Sequence, residues 1–179
     1  MIIGLFTPEK SLCIPVVTEL ERQFGPVDYI SRWLVFDYTS YYTAEMGEPL
    51  FRRLVSFNEL IEQERLPHVK NLTNELELKW VRDGKRLINI DPGYLLPSRF
   101  VLATGKDFSH RIYIGRSIYA DLTLLYVKGK FQTLPWTYPD YADQGMQVIL
   151  DQIRSHYMET DGSRKSAGVS IREGKYHDS

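Results

Sequence analysis

Cysteine is almost missing from this chain: Cys13 is the only one in 179 residues. An internal disulfide and a zinc site built on cysteines are therefore excluded. Net charge is scant too, with 22 basic residues against 23 acidic ones, and that balance argues against a general nucleic-acid binder. Long apolar runs are also wanting. The opening MIIGLFTPEK carries too short a run and too early a charge for a signal peptide or a membrane span. The expectation is a cytoplasmic protein without a membrane partner. Internal repeats and low-complexity tracts do not occur. What is present is an ordinary globular composition, 43% hydrophobic and 25% charged, rich in aromatics at 13%. Length predicts one domain over residues 1–158. A polar tail, 159–179, is expected to be disordered because the apolar periodicity stops at Met158.

Ile2 to Phe6 predicts a buried strand. Leu12, Val16, Val17, Leu20 and Phe24 follow at helical spacing, and Gly25-Pro26 closes that helix. Val27 to Tyr38 alternates with both faces largely apolar, which predicts an interior strand. Thr39 to Glu48 reads as a loop with one helical turn. Leu50 to Phe57 predicts a strand with Arg52 and Arg53 projecting to opposite sides. Val69, Leu72, Leu76 and Trp80 mark an amphipathic helix, and Arg86 to Ile90 the next strand. Two strand–helix–strand units give a ferredoxin-like split βαβ core.

The stretch Asn89 to Tyr141 adds antiparallel hairpins to that core. Asp91-Pro92-Gly93-Tyr94 predicts a type II turn, with Gly93 supplying a positive φ and Asp91 bonding the turn amides. Strands follow at Phe100–Thr104, His110–Ile114, Ile118–Val127 and Phe131–Leu134. Simple alternation along the longest puts Ile118, Ala120, Leu122, Leu124 and Tyr126 on one face. Asp140 is placed to cap a C-terminal helix whose apolar face is Met146, Ile149, Leu150, Ile153 and Tyr157. The fold class is α+β.

Several pieces of the chain, read together, carry a family resemblance: FGPVD, FDYTSYYTAEMG, KNLTNELE, INIDPGYL, KDFSHRIYIGRSIYADLTLLY and WTYPDY. They resemble a family of small bacterial proteins known only as a domain of unknown function, some members of which bear an automatic GTP-binding label. The resemblance spans Ile2 to Tyr157. The family pattern has glutamate where this chain has Asp121, which keeps the charge, and this chain inserts Gly105 before Lys106-Asp107. The resemblance implies a domain boundary and no activity, cofactor or site residue.

GTP binding finds no support in the residues. No glycine-rich loop ends in Gly-Lys-Ser/Thr, the arrangement that cradles phosphates on backbone N–H groups. Two-histidine phosphoesterase chemistry fails as well, since His68 and His110 lack the accompanying hydroxyl residues.

What is left is a cluster. His110 and Asp121 are the candidate catalytic pair, His110 being the only credible proton-transfer group. Asp91, Tyr94, Lys106, Arg111, Tyr113, Trp136 and Tyr138 are candidate ligand-binding residues, with the planar fork of Arg111 suited to an anion. Asp91, His110 and Asp121 would bind a divalent metal only if they converged. The plainer reading makes Arg111–Asp121 a cross-strand ion pair, Asp91 a turn residue, and Trp136 with Tyr138 a cover for the sheet. Two functions stay open. One is a binding protein or enzyme for a small anionic molecule, phosphorylated or nucleotide-like. The other is an interaction module docking a protein partner, or a second copy, through a sheet edge or the Trp136–Tyr141 segment. The residues leave the cofactor unknown.

Overall fold

The computed structural model describes residues 1–38 and 43–166. In chain order the elements are β1 (Ile2–Thr7), α1 (Cys13–Phe24), β2 (Val27–Ile30), β3 (Leu34–Phe36), α2 (Thr43–Met46), β4 (Leu50–Phe57) and α3 (Leu66–Glu77). There follow β5 (Val81–Arg82), β6 (Lys85–Arg86), β7 (Asn89–Leu96), β8 (Arg99–Thr104), β9 (Ile112–Gly115), β10 (Ile118–Val127) and β11 (Lys130–Thr133). Two helices close the chain, α4 (Pro139–Ala142) and α5 (Gln144–Ser166). The fold is mixed α+β.

Every residue of β1 is buried, because it runs through the middle of a sheet covered on both faces. The strand order is β11-β10-β8-β7-β1-β4-β2, with neighbours antiparallel throughout. Side chains alternate across the strand, so Ile3 and Leu5 pack with Val16 and Leu20 of α1 and Val69 and Leu76 of α3. Ile2 points the other way, into a second core with Leu54, Phe100, Leu124 and the α5 residues Met146, Ile149 and Leu150. Each fully buried aliphatic or aromatic side chain contributes about 1.5–3 kcal/mol. Both edges of the sheet are divided: β2 and β3 pair with β4 one after the other, and β9 and β11 do the same with β10. No described helix is long and apolar enough to cross a membrane.

Four local expectations change. Val27 to Tyr38 is an edge rather than an interior strand, and it is broken in two where Ser31 turns inward to accept the Leu54 N–H on its hydroxyl at 2.9 Å. Its apolar outer residues Ile30 and Val35 are exposed. Asp91-Pro92-Gly93-Tyr94 is no turn but part of β7, and Gly93 has no positive φ. Glycine is needed there for closeness instead, since a Cβ would lie 2.4 Å from the Val101 carbonyl oxygen. A bulge between Leu122 and Leu124 reverses the alternation of β10. Ala120 and Leu122 therefore pack beside Leu66 of α3, and Leu124 packs toward α5. Finally, Asp143 rather than Asp140 caps α5, accepting the Gly145 and Met146 N–H groups at 2.7 and 3.3 Å. That helix runs to Ser166, and residues 167–179 of the tail lie outside the described residues.

Candidate functional site

The ladder between β7 and β8 pairs Gly93 with Leu102 and continues to Leu96 with Arg99. It does not extend to Asp91 and Asn89. Pro92 sits at the point where it stops, and a proline has no N–H with which to continue a ladder. Upstream of Pro92 the strands part, and a cavity of about 720 Å³ opens between them. Small-molecule sites commonly measure about 300–1,000 Å³.

The parting leaves Ile90 without a β8 partner, and side chains of α3 fill that role. Glu77 accepts the Ile90 N–H at 2.6 Å, and Lys70 donates to the Ile90 carbonyl at 2.9 Å. The two residues are seven apart and so share one face of the helix. Lys70 also contacts Asp91 at 3.3 Å. Burial would push the Asp91 carboxyl up, but Lys70, Arg52 and the Asn89 side chain together hold it below its ordinary value. Glu77 is driven the other way: burial raises it against the pull of Lys70 and Arg86.

From the opposite face of the sheet comes Arg52, on β4. Only 4% of the residue is exposed, and it is ion-paired with Asp140 of α4. It also donates to the Tyr141 hydroxyl at 2.6 Å. Burial raises that phenol to about 12 despite the nearby guanidinium, so it remains protonated. Gly4 makes room for this group, because a Cβ there would come within 3.0 Å of Arg52 Nη2 and 3.2 Å of the Tyr141 oxygen. Phe6 and Phe36, stacked at 5.1 Å, form the adjoining apolar wall.

Two donors in this lining lack partners. Arg52 Nε and Asn89 Nδ2 are cut off from solvent and have no hydrogen bond among the described residues. The side chains that carry them line the cavity. Neither atom presents surface to the cavity itself, and the Asn89 side chain lies against the Asp91 carboxyl, which it helps to hold below its ordinary value.

The residues expected from sequence divide into two groups. Asp91, Lys106, Asp121 and Tyr138 line the cavity. Arg111 stands behind the wall, where it donates to Asp121 at 3.0 Å, to the Lys106 carbonyl at 2.9 Å and to the Tyr138 hydroxyl. It joins the turn after β8 to the segment before α4. His110 lies 3.4 Å from Asp121 and stacks on Trp136 at 4.9 Å, and Trp136 donates its indole N–H to the Leu122 carbonyl at 2.8 Å. Tyr94 packs with the Leu66 cluster, and Tyr113 is exposed on β9, edge-on to Tyr119. Asp91 bonds Lys70 while His110 bonds Asp121, so the three residues do not meet at a metal position. Among the described residues no group of three His, Cys, Asp or Glu comes together for one.

Arg52, Lys70 and Asn89 were not anticipated as site residues. The available signal was a charged or amide side chain at a position whose neighbours of the same phase are apolar. Arg52 lies between Leu50 and Leu54, and Lys70 on the helix face of Leu66 and Val69.

No curated protein and no solved structure matches the chain. A family model does match it over residues 1–157, nearly all of the described fold and every residue of the cavity lining. The chain belongs to the family described as Domain of unknown function (DUF4416).

Proposed function

We propose that this protein binds a small anionic molecule in the cavity between β7 and β8. One observation carries the reading: Arg52, Lys70, Asp121 and Asp140, each less than a tenth exposed, converge on a single cavity. Buried ion pairs are about neutral, or destabilising, relative to apolar packing. A fold that needed only a core would gain nothing from gathering them in one place. An anion in the cavity would meet the cations Arg52, Lys70, Arg86 and Lys106 in its lining against the carboxylates Asp91, Asp121 and Asp140.

The same reading treats the N-terminal half as a ferredoxin-like split βαβ core. The order β7-β1-β4-β2, with α1 and α3 as the crossovers, supports it. The cavity then lies where the added hairpins leave that core.

The test is a thermal-shift screen against carboxylates, inorganic phosphate, sugar phosphates and nucleotides, repeated with Asn89→Leu. A ligand at a hundred times its dissociation constant adds roughly 2.7 kcal/mol of stability. We expect a hit in the native protein that is lost in Asn89→Leu while the far-ultraviolet spectrum is unchanged. A hit that survives both Asn89→Leu and Lys106→Ala would put the site elsewhere.

A second reading, docking of a partner protein, has its own observation. Phe108, Ile112 and Tyr113 are each at least 60% exposed around the β9 hairpin. Ile112→Asp with Tyr113→Glu should then dissociate a complex or a dimer measured by light scattering. A protein that is monomeric before and after would count against it.

A further inference from the structure

Small anions differ in how much charge they carry and in what carries it, and the cavity lining bears on both. Its charged side chains are the cations Arg52, Lys70, Arg86 and Lys106 and the carboxylates Asp91, Asp121 and Asp140. The cations exceed the carboxylates by one. Arg86 is also flanked by Glu45 and Glu77, so the lining has no positive charge to spare beyond that one. A ligand with two or three negative charges would give up more hydration than a single surplus cation offsets. A singly charged ligand matches it.

The uncharged part of the lining is rich in aromatic rings. Tyr38 and Tyr138 belong to the cavity wall and are still 39% and 41% exposed, so both rings keep surface for a ligand. Both are also tethered. The Tyr38 hydroxyl bonds the Asp143 carboxylate, and the Tyr138 hydroxyl accepts from Arg111. The same guanidinium donates to the Lys106 carbonyl at 2.9 Å, which places Lys106 and the Tyr138 hydroxyl on one stretch of the rim. A flat ring laid against a held aromatic ring gains more than its buried area alone provides. A sugar phosphate or a bare inorganic anion would leave these ring surfaces unused.

We propose that the ligand is a planar aromatic ring bearing a single negative charge, of the aryl carboxylate type, its ring against Tyr138 and its carboxylate toward Lys106. Tyr38 adds a second ring to the same wall. This rests on the cavity being the binding site, as proposed above, and it names the class of molecule.

The experiment compares matched probes by isothermal titration on the native protein. The acids are benzoate, naphthoate and indole carboxylate, each set beside its saturated-ring acid, its uncharged amide and the corresponding aryl phosphate. The expected result is an aryl carboxylate that binds at least about fivefold more tightly than each of its three counterparts. In Tyr138→Leu its affinity should fall to that of the saturated acid, whose own affinity should not change. Tyr138→Phe keeps the ring and should keep the preference. A Tyr138 that served only to hold the rim together would lower both acids alike in Tyr138→Leu, and that result would overturn the proposal.

Two further results would overturn it and leave the cavity reading in place. In one, the saturated acid binds as tightly as the aryl acid. In the other, inorganic phosphate or an aryl phosphate binds and no aryl carboxylate does. In either case Asn89→Leu must abolish the binding for the cavity reading to stand. If the amide binds as tightly as the acid, or no probe in either screen binds, both readings fall. Should Tyr138→Leu fail to fold, the comparison on native protein decides the matter alone.

Discussion

From Gly93 to Leu96 the strand β7 is zipped to β8, whereas from Asn89 to Pro92 the same strand faces a cavity. The zipped half is apolar, with Leu95, Phe100 and Leu102 in one core cluster. The parted half has Asn89 and Asp91, and Ile90 is bonded to helix side chains instead of a neighbouring strand. The difference teaches how a sheet interior can be opened without an orphaned ladder. One residue without an N–H ends the pairing, and a lysine and a glutamate on a helix replace the lost hydrogen bonds.

Four experiments would break or sharpen that contrast. The largest effect is expected in the parted half from Arg52→Met, which leaves Asp140 buried without its ion pair. Breaking one side of a buried pair costs about 3–5 kcal/mol, to be read as a lower urea midpoint with an unchanged slope. If the loss is under about 1 kcal/mol, the pair is more hydrated than its burial implies.

The zipped half is tested by Gly93→Ala. The new methyl would meet the Val101 carbonyl oxygen at 2.4 Å, and overpacking of this kind costs about 1–3 kcal/mol. A neutral result would mean that β7 and β8 separate more easily than their ladder suggests.

Next comes acid. The Asp91 carboxyl is held below its ordinary 3.8 by Lys70 and Arg52, against the opposing effect of burial. A depressed carboxyl contributes its full stabilisation above its unfolded value and loses it as pH falls through the lower folded value. Thermal melts from pH 6 downward should therefore show a loss beginning below about pH 4, and Asp91→Asn should flatten that limb. An identical acid limb in the two proteins would remove Asp91 from the account.

The smallest change in stability, within about 1 kcal/mol, is expected from Pro92→Val. It restores an N–H at the point where the ladder ends. The expected result is slower amide exchange along Ala103 to Gly105 and weaker binding of any ligand found for the cavity. Unchanged exchange would show that proline does not set the limit of the zipper.

Much of this was legible beforehand in particular residues. The spacing of Val16, Val17, Leu20 and Phe24 marked α1, and the same residues are buried against the sheet. Gly25, φ 84°, closes the helix as its position implied. The cross-strand contact of Arg111 with Asp121 followed from the hairpin as well. Asp91-Pro92-Gly93 misled because its residue types suit a tight turn and a strand terminus equally, and the choice depends on β1 and β8, which are distant in sequence. The bulge in β10 was hidden for a related reason, since an apolar run buried on both faces shows no break in alternation. Arg52 and Asn89 could not be brought to one cavity without the topology. They meet only because β4, β1 and β7 are neighbours in the sheet.

The divided edges of the sheet have a consequence for the protein at high concentration. A long unpaired strand is a template on which another chain can stack, and repetition of that event builds fibrils. Here each border is made of two short pieces, three or four residues apiece, set off from one another by a break. A newcomer could add only a few backbone hydrogen bonds before losing register. A nine-stranded sheet with little net charge to keep copies apart thus offers margins too short to template a further strand.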